Sequence, residues 1–172
     1  MIGKGKSISH GTAALEYDLA KEIDGQTAAI EIARHELYGC TGAEMVQEMK
    51  PYHADFPNVK NNCLRFEVSP SIEESATFTD ADWAELGNDF MQRMGLANHQ
   101  YIIIRHSGTE SKKEQAHLHI LANRVSLSGE LYRDNWIGKK ATEAANAIAK
   151  ERNFVQSQDI GKANKAEIKE AM

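Results

Sequence analysis

Three histidines near the middle of the chain, His106, His117 and His119, have the residue type and spacing of a metal site. Side chains of a β-strand alternate between its two faces, so His117 and His119 share a face if they lie in a strand. If the preceding segment is an antiparallel partner, His106 comes within a few ångströms of that pair. Imidazoles that converge in this way hold a cation and leave positions free for water or substrate. The alternative is that each histidine is an independent surface residue.

The two segments that carry these histidines have strand patterns. Residues 101–106 contain consecutive isoleucines, which favours a buried strand ending at His106. Residues 117–125 alternate, with apolar residues on one face and the histidines on the other. The sequence therefore predicts two paired strands joined by a long polar loop over 107–116.

A cation at this point would polarise a phosphate ester, and the reaction would then need a nucleophile. Water would make the protein a hydrolase, whereas a side chain would make it a covalent transferase. Tyr17 is a candidate because it lies in a short predicted helix between Glu16 and Asp18. Its spacing alone is also explained by a core or surface role.

Two further polar residues are candidates for supporting roles. Glu67 projects from a predicted strand over 64–68 and is suited to accept a hydrogen bond from a coordinated imidazole. The alternative is a carboxylate that simply faces solvent. Asn123 falls on the histidine face of its strand, where it would bond a loop or a phosphate.

The composition is that of an ordinary globular protein, and the negative net charge of the whole chain argues against nucleic-acid binding. The length of 172 residues predicts one domain, and 41% of the residues are hydrophobic. No apolar run has the length of a membrane span, and the N-terminus lacks the apolar core of a signal peptide. Two cysteines without metal-binding spacing favour unpaired thiols in the cytoplasm. The net charge of −5 opposes phosphate binding, although basic residues are concentrated locally, at Lys4, Lys6, Arg124, Arg133, Lys139 and Lys140.

The remaining periodicity predicts an α+β fold, an antiparallel sheet with helices packed on one face in a two-layer sandwich. The first eleven residues should be extended or irregular, and residues 71–78 a polar connection. Helices are expected over 13–20 with Thr12 as cap, 26–38, 43–50, 79–95 and from 134 or 135 to about 153. Strands are expected over 64–68 and, briefly, 131–133. The domain is expected to span 1–155, followed by a polar helical tail over 156–172 that begins a linker to further domains.

The histidine segments resemble the third motif of the relaxase or mobilisation-nuclease family, which belongs to the histidine-hydrophobe-histidine endonucleases. The similarity covers residues 100–106, 117–125 and the Ser128-Gly129 pair. Lys4-Gly5-Lys6-Ser7, followed by a helix with Tyr17, is similar to the first motif of that family. The chain departs from the usual pattern at Gly108, where members often have aspartate, and at Cys63 and Glu67, where members often have histidine and serine.

The resemblance implies a relaxase-like fold and a DNA strand transferase of a mobile element. Tyr17 would become joined to a 5′ phosphate at the origin of transfer, with His10 as the fallback nucleophile. Mg²⁺ or Mn²⁺ would be held by His106, His117 and His119, with Glu67 supporting the site. The implied partners are single-stranded DNA and accessory relaxosome proteins, and no membrane is implied. The residues expected to contact DNA are Lys4, Lys6, Arg105, Asn123, Arg124 and Lys139.

Three other functions are compatible with the same residues. A replication initiator or transposase would use identical chemistry in another process. A catalytically inactive accessory protein would keep DNA binding alone. A metal-dependent phosphoester hydrolase would use water and leave Tyr17 a structural residue.

Overall fold

The computed structural model describes the backbone of residues 1–171 and the side chains of those residues except at positions 161, 163, 164, 167 and 168. In chain order the elements are β1 (Ile2–Ile8), α1 (Gly11–Leu19), β2 (Glu22–Ile23), β3 (Gln26–Thr27), β4 (Ala29–His35), α2 (Gly42–Met49), a 3-10 turn (Lys50–His53), β5 (Cys63–Ser69), α3 (Ile72–Ser75), α4 (Asp80–Arg93), β6 (Tyr101–His106), β7 (His117–Asn123), α5 (Ile137–Glu151) and α6 (Ser157–Ala171).

The centre of the fold is a five-stranded antiparallel sheet in the order β1-β5-β7-β6-β4. The strands β6 and β7 form the predicted hairpin, and their register pairs His106 with His117 and Ile104 with His119. On its other side β7 pairs with β5, which places Glu67 opposite His119. The strands β2 and β3 form a separate two-stranded ribbon. The predicted α+β class and the antiparallel sheet are confirmed.

Each face of the sheet carries its own hydrophobic core. On one face α4 and α5 cover the apolar residues of β5, β6 and β7, including Phe66, Ile103 and Ile120. On the other face α1 and α2 cover Ile102 and Leu121. Strand alternation puts the three histidines on this second face. The helices therefore lie on both faces, and the expectation that they occupy one face is wrong.

The edge strand β1 approaches α5 closely because glycine occupies its inward positions. A Cβ atom at Gly3 would lie 2.4 Å from the carbonyl oxygen of Ala141, which no side chain would tolerate. The alternate residues Lys4 and Lys6 point to the opposite face, the one that carries the histidines. The close packing of β1 on α5 thus presents two lysines beside the histidine face.

Several sequence predictions about helices are confirmed and others are wrong. The helix expected over 79–95 is present as α4, which Thr79 caps in a capping box with Asp82, and α2 and α5 lie where they are expected. The predicted helix over 26–38 is wrong, because this segment forms β3 and β4 and pairs with β6. Helix propensity is weak beside such pairing. Thr12 is not a cap, since α1 begins at Gly11 with His10 at its N-cap.

The connections differ from the expectations in smaller ways. The N-terminal segment is extended, as one of the two expected alternatives, and forms β1. The polar connection before α4 contains the short helix α3. The expected strand over 131–133 is reduced to a single bridge between Val125 and Leu131. Among the described residues, no helix combines the length and the apolar character that crossing a bilayer requires.

Candidate metal centre

The imidazoles of His106, His117 and His119 converge on one point of the sheet face. One nitrogen from each ring lies within 4.8 Å of the others. The Nε2 atoms of His117 and His119 are 3.1 Å apart. Two nitrogens that each lie about 2.1 Å from one cation are separated by roughly 3.0–3.4 Å. The convergence expected from the sequence is therefore present, and its spacing fits a metal ion.

The second nitrogen of each imidazole faces an oxygen atom of the protein. His106 donates from Nε2 to the backbone carbonyl of Asp18 at 2.8 Å. His117 donates from Nδ1 to the carbonyl of Gln115 at 2.9 Å. His119 directs Nδ1 towards the Asp18 carboxylate, with 3.9 Å between the atoms. Since the nitrogen that donates is protonated, the lone pairs available to a cation are Nδ1 of His106 and Nε2 of His117 and His119.

Burial keeps two of these imidazoles, those of His106 and His119, in the neutral form that binds metal. Desolvation, helped by the neighbouring histidines and by Arg65, lowers the pKa of His119 to about 2. Burial also lowers the pKa of His106, and the hydrogen bond and negative charge of Asp18 oppose that shift. Protons therefore compete weakly with a cation at these two nitrogens at neutral pH.

Asp18 is the residue of this site that the sequence did not single out as a ligand or support. Its side chain is 1% exposed, and its carboxylate forms an ion pair with Arg65 at 2.5 Å. Burial raises the pKa of Asp18, while the hydrogen bond and charge of Arg65 oppose the rise. The only signal in the sequence was its position next to Tyr17. Nothing in that position indicates a partner 47 residues away.

Tyr17 precedes Asp18 in α1, the helix that packs over β6 and β7. Its side chain is 61% exposed, so it is not a core residue. The Lys21 ammonium donates to the Tyr17 oxygen at 3.3 Å. The same positive charge contributes to the lowered pKa values of His106 and His119. Tyr17 therefore reaches solvent on the helix that touches the histidine cluster.

The other predicted nucleophile, His10, lies at the opposite end of α1. It is exposed at the N-cap position and lines a separate cavity with His53 and Lys50. Helix α1 is nine residues long, which separates its two ends by about 13 Å. The structure thus brings Tyr17, and not His10, to the end of α1 that contacts the histidines.

A cavity of about 220 Å³ opens on the histidine face beside His119. Glu67 of β5 lies on the wall of this cavity. It is paired with His119 of β7 on one side and with Lys4 of β1 on the other. Two residues further along the same two strands, Lys6 is paired with Arg65. The residues that line the cavity are Lys4, Gly5, Lys6, Arg65, Phe66, Glu67 and His119. Two of the predicted DNA contacts are therefore next to the histidine cluster.

The other four residues predicted to contact DNA are placed differently. Arg105 points to the face covered by α4 and forms an ion pair with Asp80 at 2.9 Å. Asn123 is fully buried and accepts a hydrogen bond from His53 at 2.7 Å. Arg124 is engaged by Asp134 and by backbone carbonyls. Lys139 is exposed at the start of α5, 4.0 Å from Glu143. None of these four joins the histidine cluster.

Comparison with known protein families gives a match that covers most of the chain. The family model described as "Relaxase: MobA/VirD2-like, nuclease domain" matches residues 17–154. This range begins at Tyr17 and includes all three histidines. No curated protein matches the chain.

Proposed function

The chain belongs to the MobA/VirD2-like relaxase nuclease family, and we propose that it nicks and religates one strand of DNA at an origin of transfer through a covalent bond to Tyr17. Membership of this family makes the chain a DNA-nicking enzyme with a role in mobilisation. The observation that supports the finer proposal is the contact between α1 and the histidine cluster. His106 donates to Asp18, and Asp18 follows the exposed Tyr17 directly.

The three imidazoles fit a divalent cation, since one nitrogen of each ring lies within 4.8 Å of the others and one nitrogen of each ring faces an oxygen atom. When bound, the cation would supply Lewis-acid polarisation of a phosphate and would stabilise the charge that develops during displacement. Mg²⁺ or Mn²⁺ are the proposed ions. Nitrogen donors favour Mn²⁺ of the two, because Mg²⁺ selects oxygen ligands.

Tyr17 is proposed as the nucleophile because it is exposed and has the ammonium group of Lys21 beside its oxygen. Its oxygen forms a bond to phosphorus while the bond from phosphorus to the 3′ oxygen of the preceding nucleotide breaks. The products are a 5′ phosphotyrosine and a free 3′ hydroxyl, which takes up one proton in exchange for the proton that the Tyr17 hydroxyl releases. Lys21, which donates to the Tyr17 oxygen, stabilises the negative charge that this oxygen carries during attack. Religation is the reverse displacement by the 3′ hydroxyl.

The proposed partner is single-stranded DNA, with accessory relaxosome proteins assembling on the same origin. Lys4 and Lys6 are exposed on the edge strand and line the cavity that reaches His119. These lysines are proposed to hold phosphates on either side of the scissile one, against a net charge of −5 for the chain. The proposed domain spans residues 1–155, and the tail over 156–172 is proposed to begin a linker.

The test is a search for protein-linked DNA. The protein is incubated with 5′-labelled and 3′-labelled single-stranded origin oligonucleotides and Mn²⁺, and the products are separated under denaturing conditions. We expect label on the protein only when it lies 3′ of the nick. Tyr17→Phe should abolish the adduct, while His10→Ala, at the far end of α1, should retain it.

Two outcomes would overturn the proposal in different ways. Cleavage by Tyr17→Phe at the wild-type rate, without an adduct, would identify a hydrolase that uses water. DNA binding by the wild type without cleavage in any of several divalent metals would identify an inactive accessory protein.

A further inference from the structure

Trp136 combines exposure of a large aromatic ring with an unfavourable backbone conformation. Its side chain is 78% exposed, more than that of any other large hydrophobic residue described. Its backbone lies in the left-handed region, at φ 58° and ψ 29°. This region is sterically costly for a residue with a Cβ atom and is favoured by glycine. A tryptophan at this position gains no stability from burial of its ring and also has a strained backbone. Its presence is therefore better explained by binding to another molecule than by folding.

Contacts on both sides hold this conformation in place. Asp134 accepts a hydrogen bond from Ser7 at 2.7 Å and forms an ion pair with Arg124 at 3.2 Å. The carbonyl of Trp136 accepts from the backbone of Lys140 at 2.9 Å in the first turn of α5. The backbone around Trp136 is therefore fixed, and the indole ring is presented to solvent at a defined place.

That place is the edge of the sheet, beside the lysines of β1. Ser7 is tied to the segment before Trp136, as described above. After Trp136, an ideal Cβ atom at Gly138 would lie 3.7 Å from the carbonyl oxygen of Gly5. Lys6 is the residue between Gly5 and Ser7, so both flanks of Trp136 contact the part of the strand that presents Lys6. Gly5 and Ser7 face the α5 side of β1, whereas Lys6 between them points to the histidine face. Trp136 therefore lies at the edge of the sheet, on the α5 side of the strand that presents Lys6.

The surroundings of Trp136 are cationic. Arg133, Lys139 and Lys140 lie within four positions of it, and the charge of Asp134 is compensated by Arg124. The next most exposed aromatic residue described, Tyr38, is 76% exposed and has the opposite surroundings.

The hydroxyl of Tyr38 donates to Glu36, and its backbone amide donates to Glu48. Exposure alone thus does not distinguish the two rings, but the charge around them does. Of these two rings, Trp136 is the one whose surroundings are complementary to a polyanion.

We propose that Trp136 is a stacking platform for a base of the single strand whose phosphates follow Lys6 and Lys4 to the histidine cluster. The inference rests on the proposed function. Aromatic faces that stack bases beside cations that hold phosphates are the usual means of binding single strands without sequence preference. Lys4 lies level with His119 across the sheet, and Ser7 is three residues further along β1, about 10 Å away. One short strand of DNA spans that distance.

The experiment measures the affinity of the whole chain for a fluorescent single-stranded oligonucleotide in EDTA, where metal-dependent cleavage does not interfere. Trp136→Gly removes the ring and also relieves the left-handed backbone, so this variant should be at least as stable to urea as the wild type. We expect its affinity to fall between about 5-fold and about 150-fold, the range for loss of one stacked base. Trp136→Phe should retain most of the affinity, and the control Tyr38→Ala should match the wild type.

The salt dependence separates stacking from charge. Trp136→Gly should weaken binding equally at all salt concentrations and leave the slope of log affinity against log salt unchanged, whereas Lys6→Ala should reduce that slope. Wild-type affinity in Trp136→Gly, or an equal loss in Tyr38→Ala, would overturn the inference while the nicking proposal stands. Normal DNA affinity and stacking without any protein-linked DNA would leave this inference in place and overturn the nicking proposal. Absence of single-strand binding by the wild type would overturn both.

Discussion

His106 donates a hydrogen bond from Nε2 to the backbone carbonyl of Asp18, at 2.8 Å. This bond joins the last residue of β6 to the residue that follows Tyr17 in α1. The carboxylate of Asp18 extends the link, since it faces Nδ1 of His119 at 3.9 Å and is paired with Arg65. One buried residue of α1 thus contacts two of the three imidazoles. The orientation of the histidines and the placement of the Tyr17 helix depend on the same contacts.

We expect Asp18→Asn to weaken Mn²⁺ binding by about 10-fold to 100-fold, as removal of an outer partner of a metal ligand does. The amide keeps the volume of the side chain but removes the negative charge that faces His119 and balances Arg65. Isothermal titration calorimetry with Mn²⁺ measures the effect. Asp80→Asn is the matched control, because Asp80 is also paired with an arginine but lies on the opposite face. Equal affinities in the two variants would show that Asp18 does not support the metal.

The affinities of different metal ions should be in the order that is typical of a site with nitrogen ligands. We expect affinity to rise from Mn²⁺ through Co²⁺ to Ni²⁺, and Mg²⁺ to bind more weakly than Mn²⁺. His117→Gln and His119→Gln should each remove most of the Mn²⁺ binding, while His10→Gln, exposed at the other end of α1, should not. Calorimetry on protein stripped with EDTA gives these affinities. A Mg²⁺ affinity above that of Mn²⁺ would argue for oxygen ligands and against the histidine site.

The histidine hairpin was predictable from sequence because its signal is local. The isoleucines of β6 and the alternation of β7 each fix a strand, and the strands are neighbours in the chain. The register that pairs His106 with His117 follows from that pattern once the strands pair. The same holds for α4, where Thr79 and Asp82 form a capping box at the start of an apolar periodicity.

The parts that sequence did not predict depend on contacts between distant segments. Residues 29–35 alternate poorly and contain good helix formers, yet they form β4 because β6 offers an unpaired edge. Asp18 and Arg65 are two charges among many in the sequence, and only the folded chain shows that they are buried together. Arg105 illustrates the reverse case. One position before a site histidine, it belongs to the other face of the strand, where it pairs with Asp80.

Stability should fall on acidification because His119 is buried as the neutral imidazole. Its pKa is lowered from 6.5 to about 2, so between these values the unfolded chain binds a proton that the folded chain excludes. The free energy of unfolding therefore rises with pH over this interval and decreases as the pH falls below about 6.5. Each group of this kind contributes a slope of at most about 1.4 kcal/mol per pH unit.

The measurement is urea denaturation in EDTA between pH 6.5 and pH 5. We expect the free energy of unfolding of the wild type to decrease more steeply than that of His119→Gln, by about 1 kcal/mol per pH unit. His10→Gln controls for loss of an exposed histidine and should keep the wild-type slope. Parallel curves for the wild type and His119→Gln would contradict the assignment of a neutral buried imidazole.

The lysines of the edge strand and Arg105 should differ in their effect on DNA affinity. Lys4→Ala and Lys6→Ala should each weaken binding and reduce the slope of log affinity against log salt by about 0.7, the value for one phosphate contact of a single strand. Arg105→Ala should change neither, because its guanidinium is paired with Asp80 on the far face. Fluorescence anisotropy at several salt concentrations measures both quantities. An equal change in Arg105→Ala would mean that the strand does not follow β1.

Glu67 and Asp18 are both carboxylates beside His119, and they are placed differently relative to its ring. Glu67 lies opposite His119 in the sheet register, but the described residues include no hydrogen bond between its carboxylate and an imidazole. The ring nitrogen of His119 that does not face His117 is directed at Asp18. We therefore expect Glu67→Gln to reduce Mn²⁺ affinity less than Asp18→Asn does, because its charge acts without orienting a ring.

The substitution Glu67→Gln should also strengthen DNA binding. Glu67 lines the cavity with Lys4 and Lys6, where its negative charge repels the phosphates that the lysines attract. Calorimetry with Mn²⁺ and anisotropy with single-stranded DNA, performed on Glu67→Gln and Asp18→Asn side by side, give the two comparisons. A larger loss of Mn²⁺ affinity in Glu67→Gln than in Asp18→Asn would reverse the assignment and make Glu67 the support of His119.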